Sequence, residues 1–204
     1  MIYVLQVAPG MEEKTEALIR GQVGREIYGC CFHPLRHVRK KLRGEWKDLH
    51  EKLLPGYVFV RSDRVKELYG ELRRVPVLTK LLGQEEENFT ALSWKEVEWL
   101  ERLTNSLDPL QAGKRAGEFA GQEAISPTVG KEEIRHPVEV GLSQISVSEQ
   151  DVITILSGPL KNVEGQIRKI NLHKRIAEVE VDFMGRKTII YLGVEMVRRK
   201  ELRG

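Results

Sequence analysis

Lys52-Leu53-Leu54-Pro55-Gly56-Tyr57-Val58-Phe59-Val60 is the stretch on which the fold turns. Two leucines lead into Pro-Gly, and a run of aromatic and β-branched residues follows. Pro55 presets φ, and Gly56 accepts the positive φ that the third position of a type II turn requires. Tyr57 to Val60 then reads as a strand. Side chains alternate across a strand, so Tyr57 and Phe59 share one face.

On the N-terminal side, Leu35 to Leu42 runs as a strand into Arg43-Gly44-Glu45, a turn, and Trp46 begins the return. Ile2 to Val7 is a first strand, closed by Pro9-Gly10. Glu12 to Arg25 has helical spacing of Ala17, Leu18 and Val23, with two glutamates in the first turn, where carboxylates suit the helix dipole. On the C-terminal side, Ser62 or Asp63 is expected to cap a helix running to about Arg73, with Val65, Leu68 and Leu72 on one face. Pro76 ends it, and Val77 to Leu82 reads as a short strand. Ser93 and Glu96 have capping-box spacing. They start a third helix whose buried side is expected to hold Val97, Leu100, Trp94 and Trp99. The order strand, helix, strands, helix, strand, helix indicates an α+β domain over residues 1–104, an antiparallel sheet with helices packed on it.

Residues 105–147 change character. Three prolines (109, 127 and 137) and five glycines (113, 117, 121, 130 and 141) stand among few large apolar groups. This stretch reads as a linker or extended excursion, longer than an ordinary loop. Residues 148–204 return to short strands separated by glycine turns, the pattern of a small all-β barrel. β-Branched Ile153, Thr154, Ile155, Ile176, Val179, Val181, Ile189 and Ile190 favour strands over helix there.

Hydrophobic residues make up 41% of the 204, enough to bury a core, so a wholly disordered chain is excluded. No run approaches the ~20 apolar residues of a membrane span. The start lacks the charged region of a signal peptide, so a cytoplasmic protein is expected. Adjacent Cys30 and Cys31 cannot readily pair with each other, which fits a reducing compartment. The net charge of +3 divides into +2 for residues 1–104, −3 for 105–150 and +4 for 151–204. Both ends are mildly basic, a weak pointer to a polyanion.

The segment Ile155-Leu156-Ser157-Gly158-Pro159-Leu160-Lys161-Asn162-Val163-Glu164-Gly165-Gln166-Ile167 resembles the KOW motif, in which Gly158 and Gly165 supply unusual backbone conformations. Ile2 to Val7 with Gly10 and Glu12-Glu13-Lys14, the Lys52–Val60 stretch, Val75-Pro76-Val77-Leu78-Thr79-Lys80-Leu81-Leu82-Gly83, and Leu92-Ser93 with Glu96-Val97 resemble the NusG N-terminal (NGN) domain. Ile2 stands where Trp is usual. Cys31-Phe32 before Pro34, Arg43-Gly44-Glu45-Trp46, the Thr79–Gly83 run, Asn171-Leu172-His173-Lys174-Arg175-Ile176-Ala177 and Phe183-Met184-Gly185 look most like the LoaP type of specialised antiterminator within the NusG family.

This resemblance implies a monomeric processive antiterminator, recruited by an RNA hairpin in the leader of a target operon. Leu54, Tyr57 and Phe59 would meet the clamp helices of the RNA polymerase β′ subunit. Lys66, Glu67 and Tyr69 would face the gate loop of the β subunit. Arg73 and Arg74 would lie near the non-template DNA strand. In the barrel, Lys161, Arg168, Lys169, His173, Lys174, Arg175, Arg186 and Lys187 form the basic set suited to RNA, with His173, Lys174 and Arg175 the foremost candidates. Residues 33–52 hold seven Lys/Arg against three acids. Arg36, Arg39, Lys40, Lys41 and Arg43 would contact phosphates of upstream DNA or nascent RNA. Each set also has a plainer reading: Tyr57 and Phe59 packed under the domain's own helices, the hairpin a solvated edge that repels pairing, Arg73 and Arg74 helix-end charges. A general NusG factor coupling polymerase to Rho or the ribosome, and a ribosome-associated KOW protein, are the competing functions.

Cys30, Cys31, His33 and His37 are close in sequence, but their spacing matches no usual zinc pattern, and Pro34 breaks any helix presenting both histidines. Buried thiols are the expectation. Neither a Walker loop nor a nucleophile elbow is present. No cofactor is expected, and binding rather than catalysis is the expected activity.

Overall fold

The structure, a computed structural model, describes residues 1–75, 80–85, 88–104 and 138–197. The N-terminal part builds a four-stranded sheet in the order β2-β5-β1-β6: β1 Ile2–Gln6, β2 Cys30–Phe32, β5 Tyr57–Arg61 and β6 Lys80–Leu81. β1 lies antiparallel to β5, with Val4 opposite Phe59. The expected strand from Val77 is seen from Lys80, and residues 76–79 lie outside the described ones.

The alternation within these strands divides the core in two. Tyr3, Leu5, Val7, Cys31, Val58 and Val60 point to one face. Two helices cover it, α1 Glu12–Gln22 and α2 Val65–Leu72, through Ile19, Val23, Leu68 and Leu72. Leu5, Ile19, Val58 and Leu68 are wholly buried, each such side chain contributing about 1.5–3 kcal/mol. Ile2, Val4, Cys30, Phe32 and Phe59 point the other way, toward α3 Trp94–Thr104 and the C-terminal sheet.

Two buried carboxylates hold the loops. Glu12 is wholly buried and accepts hydrogen bonds from the amides of Gly10 (2.8 Å) and Gly56 (2.7 Å), so it ties the two Pro-Gly turns together. Gly56 has φ +84, as its turn demands. Glu96 completes the expected capping box, accepting from the amide and hydroxyl of Ser93, both at 2.7 Å.

Three local expectations are corrected. Ser62 does not cap α2; its hydroxyl donates to the Ile27 carbonyl at 2.6 Å and accepts from the Arg64 amide, which pins a strand end, while Asp63 pairs with the N-terminus. α1 stops at Gln22, with Val23 already extended (ψ 132). Trp94 is 67% exposed rather than part of the buried side of α3, because it precedes the turn that presents Trp99, Leu100 and Leu103 to the core.

β3 Leu35–Leu42 and β4 Glu45–Lys52 form a long hairpin whose two-residue turn has φ +51 at Arg43 and +91 at Gly44, the twist that suits a hairpin. β7 Gln84–Glu85 and β8 Asn88–Phe89 make a second, small one. β9 Glu139–Val140 lies parallel to β3 at Leu35–Arg36.

The C-terminal part is a five-stranded sheet in the order β11-β10-β14-β13-β12: β10 Ser143–Val147, β11 Ile153–Ser157, β12 Ile167–Asn171, β13 Ile176–Phe183 and β14 Arg186–Met196. β9 and β10 fall inside the stretch read as linker; alternation there covers too few residues to be visible. Between β11 and β12, Pro159–Gln166 forms 3-10 turns broken at Val163, in place of a simple loop. Gly158 has φ +93, and a Cβ there would lie 2.6 Å from the Leu142 carbonyl, so glycine is required. Gly165 is not in the left-handed region and faces open space, contrary to the expectation for it. Among the described residues, no helix is long and apolar enough to cross a membrane.

Candidate functional site

The strand face expected to meet a partner is covered. Phe59 is wholly buried and stacks on Phe32 with ring centroids 5.4 Å apart. Half-buried Tyr57 meets Phe183 of β13 edge-on at 5.1 Å, and Phe59 lies 6.1 Å from the same ring. Leu54 is buried in the same cluster. These side chains pack neither under α1 nor under α2; they share one buried cluster with Trp99, Leu100 and Leu103 of α3 and with the C-terminal sheet.

Polar ties fix that seam. Trp99 donates its indole N–H to the Asp182 carbonyl at 2.9 Å. The second carboxylate oxygen of Glu96 accepts from the Met184 amide. Asn162 donates to the Arg102 carbonyl at 2.9 Å. On the other side of the seam, β14 crosses β3 at His37 and Val38. Arg36 donates to the Tyr191 carbonyl and lies over the Tyr191 ring at 5.5 Å, and Arg39 pairs with Glu195. Gly193 makes the approach possible, since a Cβ there would lie 2.2 Å from the His37 carbonyl oxygen and 3.1 Å from Val38 Cα. Sequence reasoning missed Trp99, Glu96, Trp46 and Gly193 as seam residues; only the lone glycine in a β-branched run carried a signal.

On α2, Lys66 and Glu67 are exposed, and Tyr69 is turned onto Phe89 at 5.3 Å. Arg73 and Arg74 are exposed at the helix end, Arg74 paired with Glu71 at 2.7 Å.

The hairpin's basic residues divide into two groups. Near its base, Arg36 and Lys40 both hold Glu51, Arg39 holds Asp48 at 3.1 Å, and Lys52 holds Glu13 at 2.8 Å. Burial pushes the Glu51 carboxyl up, but hydrogen bonds from Lys40 and Arg36 outweigh it and leave the group below its ordinary range. The Lys52 hydrogen bond likewise lowers Glu13. At the tip, Lys41, Arg43 and Lys47 are exposed and make no ion pair among the described residues.

The C-terminal basic set is also divided. Arg168 forks onto Glu180 at 3.0 and 2.6 Å, and that bond holds the glutamate low and the guanidinium high. Lys187 pairs with Asp182 at 2.9 Å. Lys161, Lys169 and Arg186 are exposed on separate elements. The turn between β12 and β13 presents His173 and Lys174 to solvent, while Arg175, at φ +54, lies 3.7 Å over the Trp46 ring of the hairpin. The structure thus brings Arg175 to the β3–β4 hairpin and leaves Arg168 and Lys187 neutralised by their own sheet.

Cys30 and Cys31 are buried on opposite faces of β2, and burial pushes both thiols up. His33 bonds Glu16 at 2.6 Å, and His37 stacks on His50 at 5.1 Å. Among the described residues no group of three or more His, Cys, Asp or Glu is placed to hold a metal ion.

Residues 2–101 match the family model described as transcription termination factor nusG. The chain is 24% identical over 201 residues to the transcription termination/antitermination protein NusG of Streptomyces virginiae, covering 97% of this chain and 62% of that protein. It is 25% identical to the Streptomyces griseus protein of the same description, with 97% and 63% covered. The chain therefore spans less than two thirds of those relatives. It is 24% identical over 209 residues to the Thermus thermophilus protein, covering 96% of each. A solved structure on domain interaction in Thermotoga maritima NusG aligns with a TM-score of 0.44 and 20% identity, over 94% of this chain and 92% of that one.

Proposed function

We propose that this chain, whose residues 2–101 match the NusG family model, is a transcription elongation factor that docks on RNA polymerase through the sheet face carrying Tyr57. It works by binding rather than catalysis. The NGN-like domain over residues 1–104 supplies the docking face, and the C-terminal part over residues 148–204, read as a KOW barrel, covers that face until docking. One observation carries this reading: the aromatic strand expected to hold the β′ clamp helices is capped by Phe183, with polar ties at Trp99 and Glu96. An aromatic patch of this kind suits an interface core. Docking then exchanges one cover for another. Lys66 and Glu67, exposed on α2 beside Tyr69, are the candidates to reach the gate loop across the cleft, and Arg73 and Arg74 to meet the non-template strand.

The relatives' shared description covers both termination and antitermination, which favours the general factor. The specialised reading, a processive antiterminator recruited by a leader RNA hairpin, is supported by exposed His173 and Lys174, which have no acid partner among the described residues.

A purified fragment bearing the β′ clamp helices tests the docking. The Gly193→Ala variant, which separates the seam, is expected to bind it several-fold more tightly than the unaltered chain. Adding Tyr57→Ala to that variant is expected to abolish the gain. Equal, weak binding by all three sinks the reading.

A further inference from the structure

The β13–β14 ribbon meets the N-terminal part at both of its ends. Its strands pair from Phe183 opposite Arg186 to Ile176 opposite Gly193, a run about 23 Å long at the usual rise of a strand. At one end Phe183 caps the Tyr57 face, with Trp99 and Glu96 tied to Asp182 and Met184. At the other end the support is the β3–β4 hairpin. There Arg36 donates to the Tyr191 carbonyl at 2.6 Å, and Arg39 pairs with Glu195. Tyr191 and Glu195 lie two residues to either side of Gly193, so the two arginines straddle the point where β14 crosses His37 and Val38. The Val194 amide donates to the Arg175 carbonyl at 3.0 Å, which fixes the start of β13 beside that crossing. Arg175 has φ +54, a conformation that non-glycine residues seldom take. Its guanidinium lies 3.7 Å over the centre of the Trp46 ring. The three arginines are not equivalent. With β14 lifted away, Arg36 still has Glu51 and Arg39 still has Asp48, both on β4. Arg175 has no such second holder among the described residues: its Nε is buried without a hydrogen-bond partner, and the ring face receives it. A flat guanidinium over an indole is a stack that a lysine ammonium cannot reproduce.

We propose that the Arg175–Trp46 stack is the latch of the closed form, a contact on the hairpin, one ribbon length from Tyr57, that sets how often the Tyr57 face is uncovered. The inference rests on the docking reading above. A ribbon paired along its whole length moves as one bar, so a pin lost at one end loosens the other. The closed and open forms are two populations, and the latch stabilises only the closed one. The polymerase helices bind the open form, so their apparent affinity scales with the open fraction. Trp46 and Arg175 act on that affinity without touching the helices, as positioning residues.

Two readouts on the full chain test this. One is hydrogen exchange, with no partner present, at the Met184 amide and the Trp99 indole N–H, which both bond across the seam. The other is affinity for the purified fragment bearing the β′ clamp helices. Trp46→Ala and Arg175→Ala are each expected to quicken that exchange and to tighten fragment binding, both several-fold. The double variant is expected to match either single one, since both remove the same contact. Arg175→Lys keeps the charge but loses the flat stack, and is expected to open the seam nearly as far as alanine does. Trp46→Phe keeps a ring and is expected to stay mostly closed. α1 and α2 are expected to keep their protection throughout, which separates a released latch from a failing fold. Exchange that quickens only at residues 172–175 overturns the latch and leaves Phe183 held by its own contacts. Effects that add in the double variant overturn it too, since the two side chains would then act separately. Unaltered behaviour of Arg175→Lys overturns the stack in favour of plain charge attraction. Faster exchange at Met184 and Trp99 with unchanged fragment affinity upholds the latch and overturns the docking reading beneath it.

Discussion

The two faces of the N-terminal sheet are covered in different ways. The face under α1 and α2 is sealed by aliphatic side chains from helices close in the chain, with Ile19 and Leu68 wholly buried. The face under the C-terminal sheet mixes Phe32, Tyr57 and Phe59 with Ile2, Val4 and Leu54, and its cover is also held by backbone-directed bonds from Trp99, Glu96 and Asn162 and by ion pairs at the rim. Interdigitated aliphatic packing is costly to open. Aromatic faces with polar ties resemble the surfaces by which separate proteins meet. Both faces are buried, the second in a cluster that runs on into the C-terminal sheet; on the reading proposed above, the second is also an interface that the chain makes with itself.

The sharpest test of that contrast is Leu68→Ala, which is expected to cost about 2–5 kcal/mol of global stability by leaving a cavity; urea denaturation followed by tryptophan fluorescence reads it. Next is Glu12→Ala, which strands the amides of Gly10 and Gly56 and is expected to cost about 1–3 kcal/mol. Glu12→Gln recovers part of that loss in the same titration, because one acceptor oxygen remains. On the second face, Trp99→Phe removes the bond to the Asp182 carbonyl at a cost of about 1 kcal/mol. Amide exchange is expected to quicken at Phe183 and Met184 while α1 and α2 keep their protection. If α1 and α2 quicken equally, the two faces are one cooperative unit and the contrast fails.

The smallest effect is one of acidity. The Glu51 carboxyl is held below its ordinary 4.5 by Lys40 and Arg36 despite partial burial. Folding thus favours the ionised form. Its contribution is present above the ordinary value and is lost as pH falls through the lowered one. Glu51→Gln is expected to remove that part of the acid sensitivity, seen as a shallower loss of stability on acidification and little change at neutral pH.

Much of the N-terminal domain was legible because its signals are local. The Pro55-Gly56 turn, the alternation of Tyr57 to Val60 and the Ser93–Glu96 box each lie within a few residues, and each forms. The Ser62 cap failed because a buried hydroxyl found a better acceptor in Ile27, distant in sequence. The candidate aromatics were legible as a pair on one face, but not what lies against them. The Tyr57–Phe183 contact and the crossing of β14 at Gly193 join residues more than a hundred positions apart. Periodicity reports which way a side chain points and says nothing of its partner. Likewise, basic residues could be counted in sequence, while their neutralisation by Glu51 and Glu180 depends on register.

Glu96 spends one oxygen on the start of α3 and the other on the Met184 amide. Were the C-terminal sheet to depart, as the proposed docking requires, the first oxygen would keep its work and the second would turn to water, so the helix start would neither fray nor be left with an orphaned charge. A joint that reuses a group already committed to the fold would have no broken part to repair on each return.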